Sequence, residues 1–152
     1  MLRQRLKDDL KKAMLAKNAR GVSTIRMILA ALKDKDIAAR PSGVTDGVGE
    51  DVILSLLQSM IKQRRESITL YQQGGRPELA QQEQDEIDII EGFLPRQLSE
   101  AEMAEAVAAV VAEIGAAGIK DMGRTMAALK ERFSGTMDFA KAGVLVKAKL
   151  TA

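Results

Sequence analysis

The amino-acid sequence predicts an all-α fold of seven helices, four before Pro95 and three after it, giving modules over residues 1–94 and 95–152. Three observations carry that expectation. Apolar residues recur three and four positions apart through most of the 152 residues. Aromatic residues make up 3% of the chain against 46% hydrophobic overall, so the core must be Leu, Ile, Val, Met and Ala, which favours helix packing over a β-sandwich. Glycines, prolines and capping residues punctuate the periodic stretches at helix-length intervals.

Residues 2–18 place Leu2, Leu6, Leu10, Ala13 and Met14 on one helical face, with Arg3, Lys7, Lys11 and Lys12 outside it. Gly21 is expected to interrupt, with Ser23 or Thr24 near the start of a second helix whose stripe is Val22, Ile25, Ile28, Leu29 and Leu32. The segment from Arg40 to Gly49 is dense in turn formers and predicts an exposed, mobile loop. A long third helix carries Ile53, Leu57, Met60, Ile61, Ile68 and Tyr71, and Gly74-Gly75 stops it. Pro77 suits the first turn of a fourth helix, whose inner face is Leu79, Ile87, Ile90 and Leu94. So short a connection makes these two helices antiparallel. Lys62, Arg64 and Arg65 then stand level with Asp88, Asp85 and Glu86, which predicts an internal salt-bridge network.

Leu94-Pro95 marks a boundary, because proline disfavours helix in the residue before it. Ser99 and Glu102 form a capping box, with Leu98 and Met103 placed as a hydrophobic staple. That helix continues through Val107, Val110, Val111 and Ile114 and ends at Gly115 and Gly118. Asp121 is expected to cap a sixth helix bearing Met122, Met126, Leu129 and Phe133. Ser134-Gly135 ends it, and Asp138 caps a seventh with Leu145, Val146 and Leu150.

The chain has no histidine, cysteine or tryptophan. The usual acid–base group near neutral pH, the readiest nucleophile and soft metal ligands are all missing, so no catalytic residue, cofactor or metal site is expected. Asp85, Asp88 and Glu91 share a helical face but lack the histidine that bundle metal sites add, and a solvated or salt-bridged face is expected. Ser59 and Lys62 imitate a Ser–Lys dyad at a spacing common by chance, and Gly43, Gly47 and Gly49 fit no phosphate-binding fingerprint. Met122, Met126 and Met137 suit either an adaptable groove or ordinary core filling. Tyr71, Phe93, Phe133 and Phe139 sit mostly at apolar-face positions and predict no base-stacking platform. With no disulfide framework, signal-peptide run or stretch of transmembrane length, the expected location is cytoplasmic and no membrane partner is expected.

Net charge is +2, unevenly placed. Residues 1–40 hold eleven Lys/Arg against four acids, and residues 41–94 hold four against ten. Such asymmetry suits a polyanion-binding face. Because the total nearly cancels, the simpler expectation is that basic and acidic helices neutralise each other side by side.

Several segments are specific beyond generic helices. They include Ser23-Thr24-x-Arg26-Met27-Ile28, Ile61-Lys62-Gln63-Arg64-Arg65-Glu66-Ser67-Ile68, Gly74-Gly75-Arg76-Pro77-Glu78-Leu79-Ala80, Phe93-Leu94-Pro95-x-Gln97-Leu98-Ser99 and Gly118-x-Lys120-Asp121-Met122-Gly123. On these segments the chain resembles YqeY-type members of the GatB/YqeY family essentially end to end. The resemblance implies a four-helix N-terminal module and a three-helix C-terminal module like the tail of the amidotransferase B subunit. In that enzyme the tail grips tRNA while other domains carry out kinase and transamidation chemistry. It therefore implies a non-catalytic module associated with tRNA or another structured RNA, with no DNA expected.

Alternatives from other classes are an amidotransferase-type enzyme or accessory, a carbon–nitrogen ligase with glutamine as amide donor, and an adaptor for a protein partner. Carried over by position are Lys120, Asp121, Gly123 and Arg124, then Gly135 and Asp138. Lys120, Arg124 and Lys141 are the candidate RNA contacts, with Lys62, Arg64 and Arg65 as secondary basic candidates. Relatives have Gly-(Arg/Lys)-Ala-Asp-Gly-Lys at the last turn. Here Gly135-Thr136-Met137-Asp138-Phe139-Ala140-Lys141 loses the first basic residue and displaces the second by one.

Overall fold

A computed structural model describes all 152 residues and is all-helical. Seven α-helices run Leu2–Leu15 (α1), Ala19–Ala39 (α2), Glu50–Gln73 (α3), Pro77–Glu91 (α4), Glu100–Ile114 (α5), Met122–Phe133 (α6) and Phe139–Thr151 (α7). Short 3₁₀ turns cover Arg40–Ser42 and Ile119–Asp121. The chain divides into two compact units, Met1–Pro95 and Arg96–Ala152, each with its own aliphatic core.

In the first unit Leu6, Ile28, Ile53, Leu57, Ile87 and Ile90 are fully enclosed. They come from all four helices, so each contributes the apolar stripe its periodicity demands. α1 ends in a tight reversal in which the Lys17 amide donates to the Met14 carbonyl (3.2 Å) and the Asn18 amide to the Ala13 carbonyl (2.9 Å). The Asn18 side chain then accepts the Gly21 amide at 3.0 Å and caps α2.

The helix break therefore lies at Lys17-Asn18 rather than at Gly21, and α2 starts four residues before Ser23. Gly21 sits buried in the first turn of α2, where a Cβ would come within 2.7 Å of the Asn18 Nδ2 and 3.4 Å of the Ala13 Cβ. The glycine permits close approach of the two helices and does not end one. Thr24, fully buried, keeps its hydroxyl without a hydrogen-bond partner.

The loop between α2 and α3 is exposed as expected, but its second half is pinned. Arg3 forks onto Asp36 at 2.7 and 2.8 Å and also donates to the Val48 carbonyl at 3.0 Å. Asp36 accepts the Val48 amide at 2.8 Å. Gly47, at φ 96°, passes under this clamp, and a Cβ there would meet the Arg3 Nη2 at 2.7 Å. Only glycine satisfies both the backbone angle and the space. The clamp closes α1, α2 and the start of α3 at one end of the unit. Farther along, Arg64 on α3 donates to Glu86 on α4 at 2.9 Å and its Nη2 lies 3.8 Å from the Met27 sulfur on α2.

The second unit opens as the sequence predicts. Ser99 and Glu102 close the capping box, and Arg96 forks onto Glu102 at 2.9 and 2.8 Å. Leu98 packs against the core that contains Met103. The Leu98 amide donates to the Thr136 carbonyl (2.8 Å) and Gln97 to the Gly135 carbonyl (2.6 Å), tying the start of this unit to the α6–α7 turn. Met137 is fully enclosed, and Met122 and Met126 pack against the same core, so these methionines fill it.

Asp36 is held down to about 2 from 3.8, chiefly by the Arg3 guanidinium and then by the Val48 amide. A carboxylate depressed in the folded state stabilises fully above its unfolded value and loses that contribution as pH falls. Asp36→Ala is expected to lower unfolding free energy by about 1–2 kcal/mol at neutral pH. Urea titrations should show the difference from wild type shrinking as pH drops from 3.8 toward 2. Ser99→Ala should cost about 1 kcal/mol through loss of the α5 cap.

Candidate nucleic-acid interface

The RNA-contact candidates of the second unit are held apart by α5. The Arg124 Nη1 donates to the Ile114 carbonyl at the C-terminal end of α5, at 3.0 Å. The Lys141 ammonium lies 3.8 Å from Glu100 at its N-terminal end. Fifteen residues of helix separate those ends by about 21 Å. Lys120 lies exposed in the 3₁₀ turn before α6, with no ion-pair partner.

Asp121 does not cap α6 with its side chain. Its carboxylate turns back to accept the Ala117 amide at 2.9 Å and the Gly118 amide at 3.3 Å, and Arg124 holds it at 3.1 Å. Those amides, the Ala117 one foremost, lower its pKa below the usual carboxylate range. The reason lies in the loop, whose two amides have no helical acceptor and claim the nearest carboxylate. Asp138 does cap α7, accepting the Ala140 and Lys141 amides at 3.0 and 3.2 Å. An added Cβ at Gly123 meets nothing within 4 Å, so nothing in the structure requires glycine there.

The secondary candidates divide. Arg64, with its side chain 12% exposed, is committed to Glu86. Arg65 pairs with Glu91 at 3.2 Å rather than with the Asp85–Glu86 pair the register predicts, and Lys62 is exposed without an ion-pair partner. Asp85 and Asp88 accept from Gln81 and Gln84 at 2.8 and 2.9 Å, so these two carboxylates are engaged along their own helix while Glu91 is engaged by Arg65.

The charge asymmetry does not resolve into pairing between the basic and acidic halves. A single ion pair crosses between residues 1–40 and 41–94, from the Met1 amino group to Glu50 at 3.2 Å. Arg3, Arg5 and Lys12 pair with Asp36 and Asp9 inside the basic segment. Lys7, Lys11, Lys17, Arg20, Arg26, Lys33, Lys35 and Arg40 make no ion pair, and all but the half-buried Arg20 are exposed. The helices pack side by side through their apolar faces while the charges face water. Reading candidates by motif passes over these residues, yet a signal is present: no acid occurs anywhere from residue 10 to residue 33.

The model of the YqeY-like proteins matches residues 3–150 of the chain. Three relatives share the name altered inheritance of mitochondria protein 41, mitochondrial. The protein from Eremothecium gossypii is 40% identical over 89 residues, covering 59% of this chain and 46% of that protein. That from Lachancea thermotolerans is 35% identical over 111 residues, covering 72% and 57%. That from Kluyveromyces lactis is 39% identical over 88 residues, covering 58% and 45%. The chain thus spans about half the length of the curated relatives it matches. Their names overturn the cytoplasmic expectation. Its premises, no cysteine and no long apolar run, describe proteins of many aqueous compartments and carry no address.

Arg124→Ala should lower the midpoint of thermal unfolding by a few degrees, because it frees both Asp121 and the Ile114 carbonyl. Lys120→Ala should leave it unchanged. Differential scanning fluorimetry of the two variants separates a structural arginine from a lysine free to meet a ligand.

Proposed function

Because the chain belongs to the YqeY-like family, we propose that it is a non-catalytic helical module that associates with structured RNA, tRNA first, through cations on α1 and α2. One observation carries this reading: eight Lys/Arg of the first two helices, the turn between them and the turn after them lie outside any ion pair. A cluster of unpaired cations gains free energy by displacing counterions condensed on a polyanion. Internal pairing would have removed that driving force.

Arg26 and Lys33 lie two helical turns apart on the outer face of α2, so one strand of phosphates can meet both. Contacts of this type fix position and shape rather than sequence, which suits a folded RNA and needs no aromatic platform. The resemblance of residues 95–152 to a tRNA-gripping tail supports RNA as the polyanion. Lys120 and Lys141 then act as outlying contacts, while Arg124 serves the fold.

Filter binding of deacylated tRNA across a salt series tests the proposal. Affinity should fall steeply with salt, and each phosphate contact removed should flatten the slope by about 0.9. Arg26→Glu with Lys33→Glu is expected to flatten it by about 2 and to weaken binding at low salt. Lys120→Glu with Lys141→Glu should do less. Absence of salt-sensitive binding, or indifference to the α2 pair, refutes the reading.

A further inference from the structure

The corner between α1 and α2 carries a combination that neither the core nor an RNA contact explains. Leu15 is 86% exposed and Met14 is 50% exposed, side by side at the end of α1. Within six residues of them in the chain are Lys11, Lys12, Lys17 and Arg20, inside the acid-free stretch. Among these four the one ion pair is the 3.9 Å approach of Lys12 to Asp9.

The backbone adds a second, independent observation. Lys17 is the single non-glycine residue with positive φ, at 54°. It occupies the left-handed position of a Schellman-type ending, where the Lys17 amide donates to Met14 and the Asn18 amide to Ala13. Glycine normally takes that position because any side chain carries a steric penalty there. The Lys17 side chain is exposed and without an ion-pair partner, so no ion pair offsets that penalty.

We infer that the α1–α2 corner docks on an anionic phospholipid surface, with Leu15 and Met14 entering the headgroup boundary and Lys11, Lys17 and Arg20 engaging lipid phosphates. An RNA backbone rewards the cations but leaves two aliphatic side chains in water. A negatively charged bilayer surface rewards both. No helix of the chain is long and apolar enough to cross a membrane. That criterion concerns spanning and does not bear on a surface contact, so the expectation of no membrane partner gives way here. The inference shares Lys11, Lys17 and Arg20 with the unpaired cations of the RNA reading and differs from it in the use made of Leu15 and Met14, so Leu15→Asp tells the two apart.

Flotation of the full chain with vesicles tests it, comparing phosphatidylcholine alone with equal parts phosphatidylcholine and phosphatidylserine at low ionic strength. The protein should float with the anionic vesicles only and be released by salt. Leu15→Asp should lower partitioning roughly tenfold or more while leaving thermal stability intact. Lys17→Gly is the sharper variant, because its two readouts move in opposite senses. Relief of the backbone penalty should raise the unfolding midpoint, and loss of one interfacial cation should weaken partitioning about fivefold. Equal flotation with both vesicle types, or flotation unmoved by Leu15→Asp, overturns the inference. Loss of tRNA binding in Leu15→Asp with no flotation of the wild type assigns the corner to RNA and overturns it as well.

Discussion

Two cores made almost wholly of aliphatic side chains govern the rest of this structure. With aromatic residues at 3% of the chain, few large side chains are available to anchor a helix. Each helix must therefore turn its full Leu, Ile, Val and Met stripe inward, which fixes its rotation about its own axis. The charged face of each helix is then dictated, not chosen, and ion pairs form only where the imposed rotation brings opposite charges together. Arg64 and Glu86 meet on those terms, 12% and 16% exposed between α3 and α4. The basic outer faces of α1 and α2 meet no such partner.

The two units handle charge differently as a result. In the second, Arg96, Arg124, Arg132 and Lys141 each find a carboxylate, on Glu102, Asp121, Glu113 and Glu100. Half of its eight Lys/Arg are neutralised locally, Lys120, Lys130, Lys147 and Lys149 being outside any ion pair, and exposed pairs of this kind contribute little to stability. In the first unit the neutralising acids are present in the chain but lie on the opposite hairpin. The field of that unit is polarised, although its net charge is close to zero. A polarised field steers a polyanion over distances near the Debye length, which net charge alone does not reveal.

What was legible in the sequence follows the range of the interaction. Local rules read correctly: the capping box at Ser99, the Asp138 cap, the glycine stop after α3 and the proline start of α4 each depend on neighbours within a few residues. The misreadings came where a local signal had two uses. Gly21 looked like a helix breaker and is a point of close approach. Asp121 looked like a forward cap, but two loop amides behind it had the prior claim. The Arg3–Asp36–Val48 clamp, between residues up to 45 apart, had no sequence signature at all.

The candidate interface shows the same division. The residues singled out by motif, Lys120, Arg124 and Lys141, lie at opposite ends of α5, because a linear motif carries no information on which side of a helix its members fall. The unpaired cations of α1 and α2 could be counted from the sequence, but whether they were neutralised depended on the register between hairpins.

Positive φ sets the two ends of the first unit in contrast. At Gly47 the chain passes beneath a guanidinium with no room for a Cβ, and the residue is the one that such a place requires. At Lys17 the residue is exposed, the same backbone region is used, and a long cationic side chain is present instead. No ion pair inside the protein offsets the resulting penalty, since the Lys17 ammonium has no carboxylate partner. A residue that is unfavourable for the fold at an exposed tip, flanked by an aliphatic pair equally unused by the core, has its physical explanation in something outside the chain. The sign of that outside surface is set by the four cations around the corner, and its partly apolar character by Leu15 and Met14.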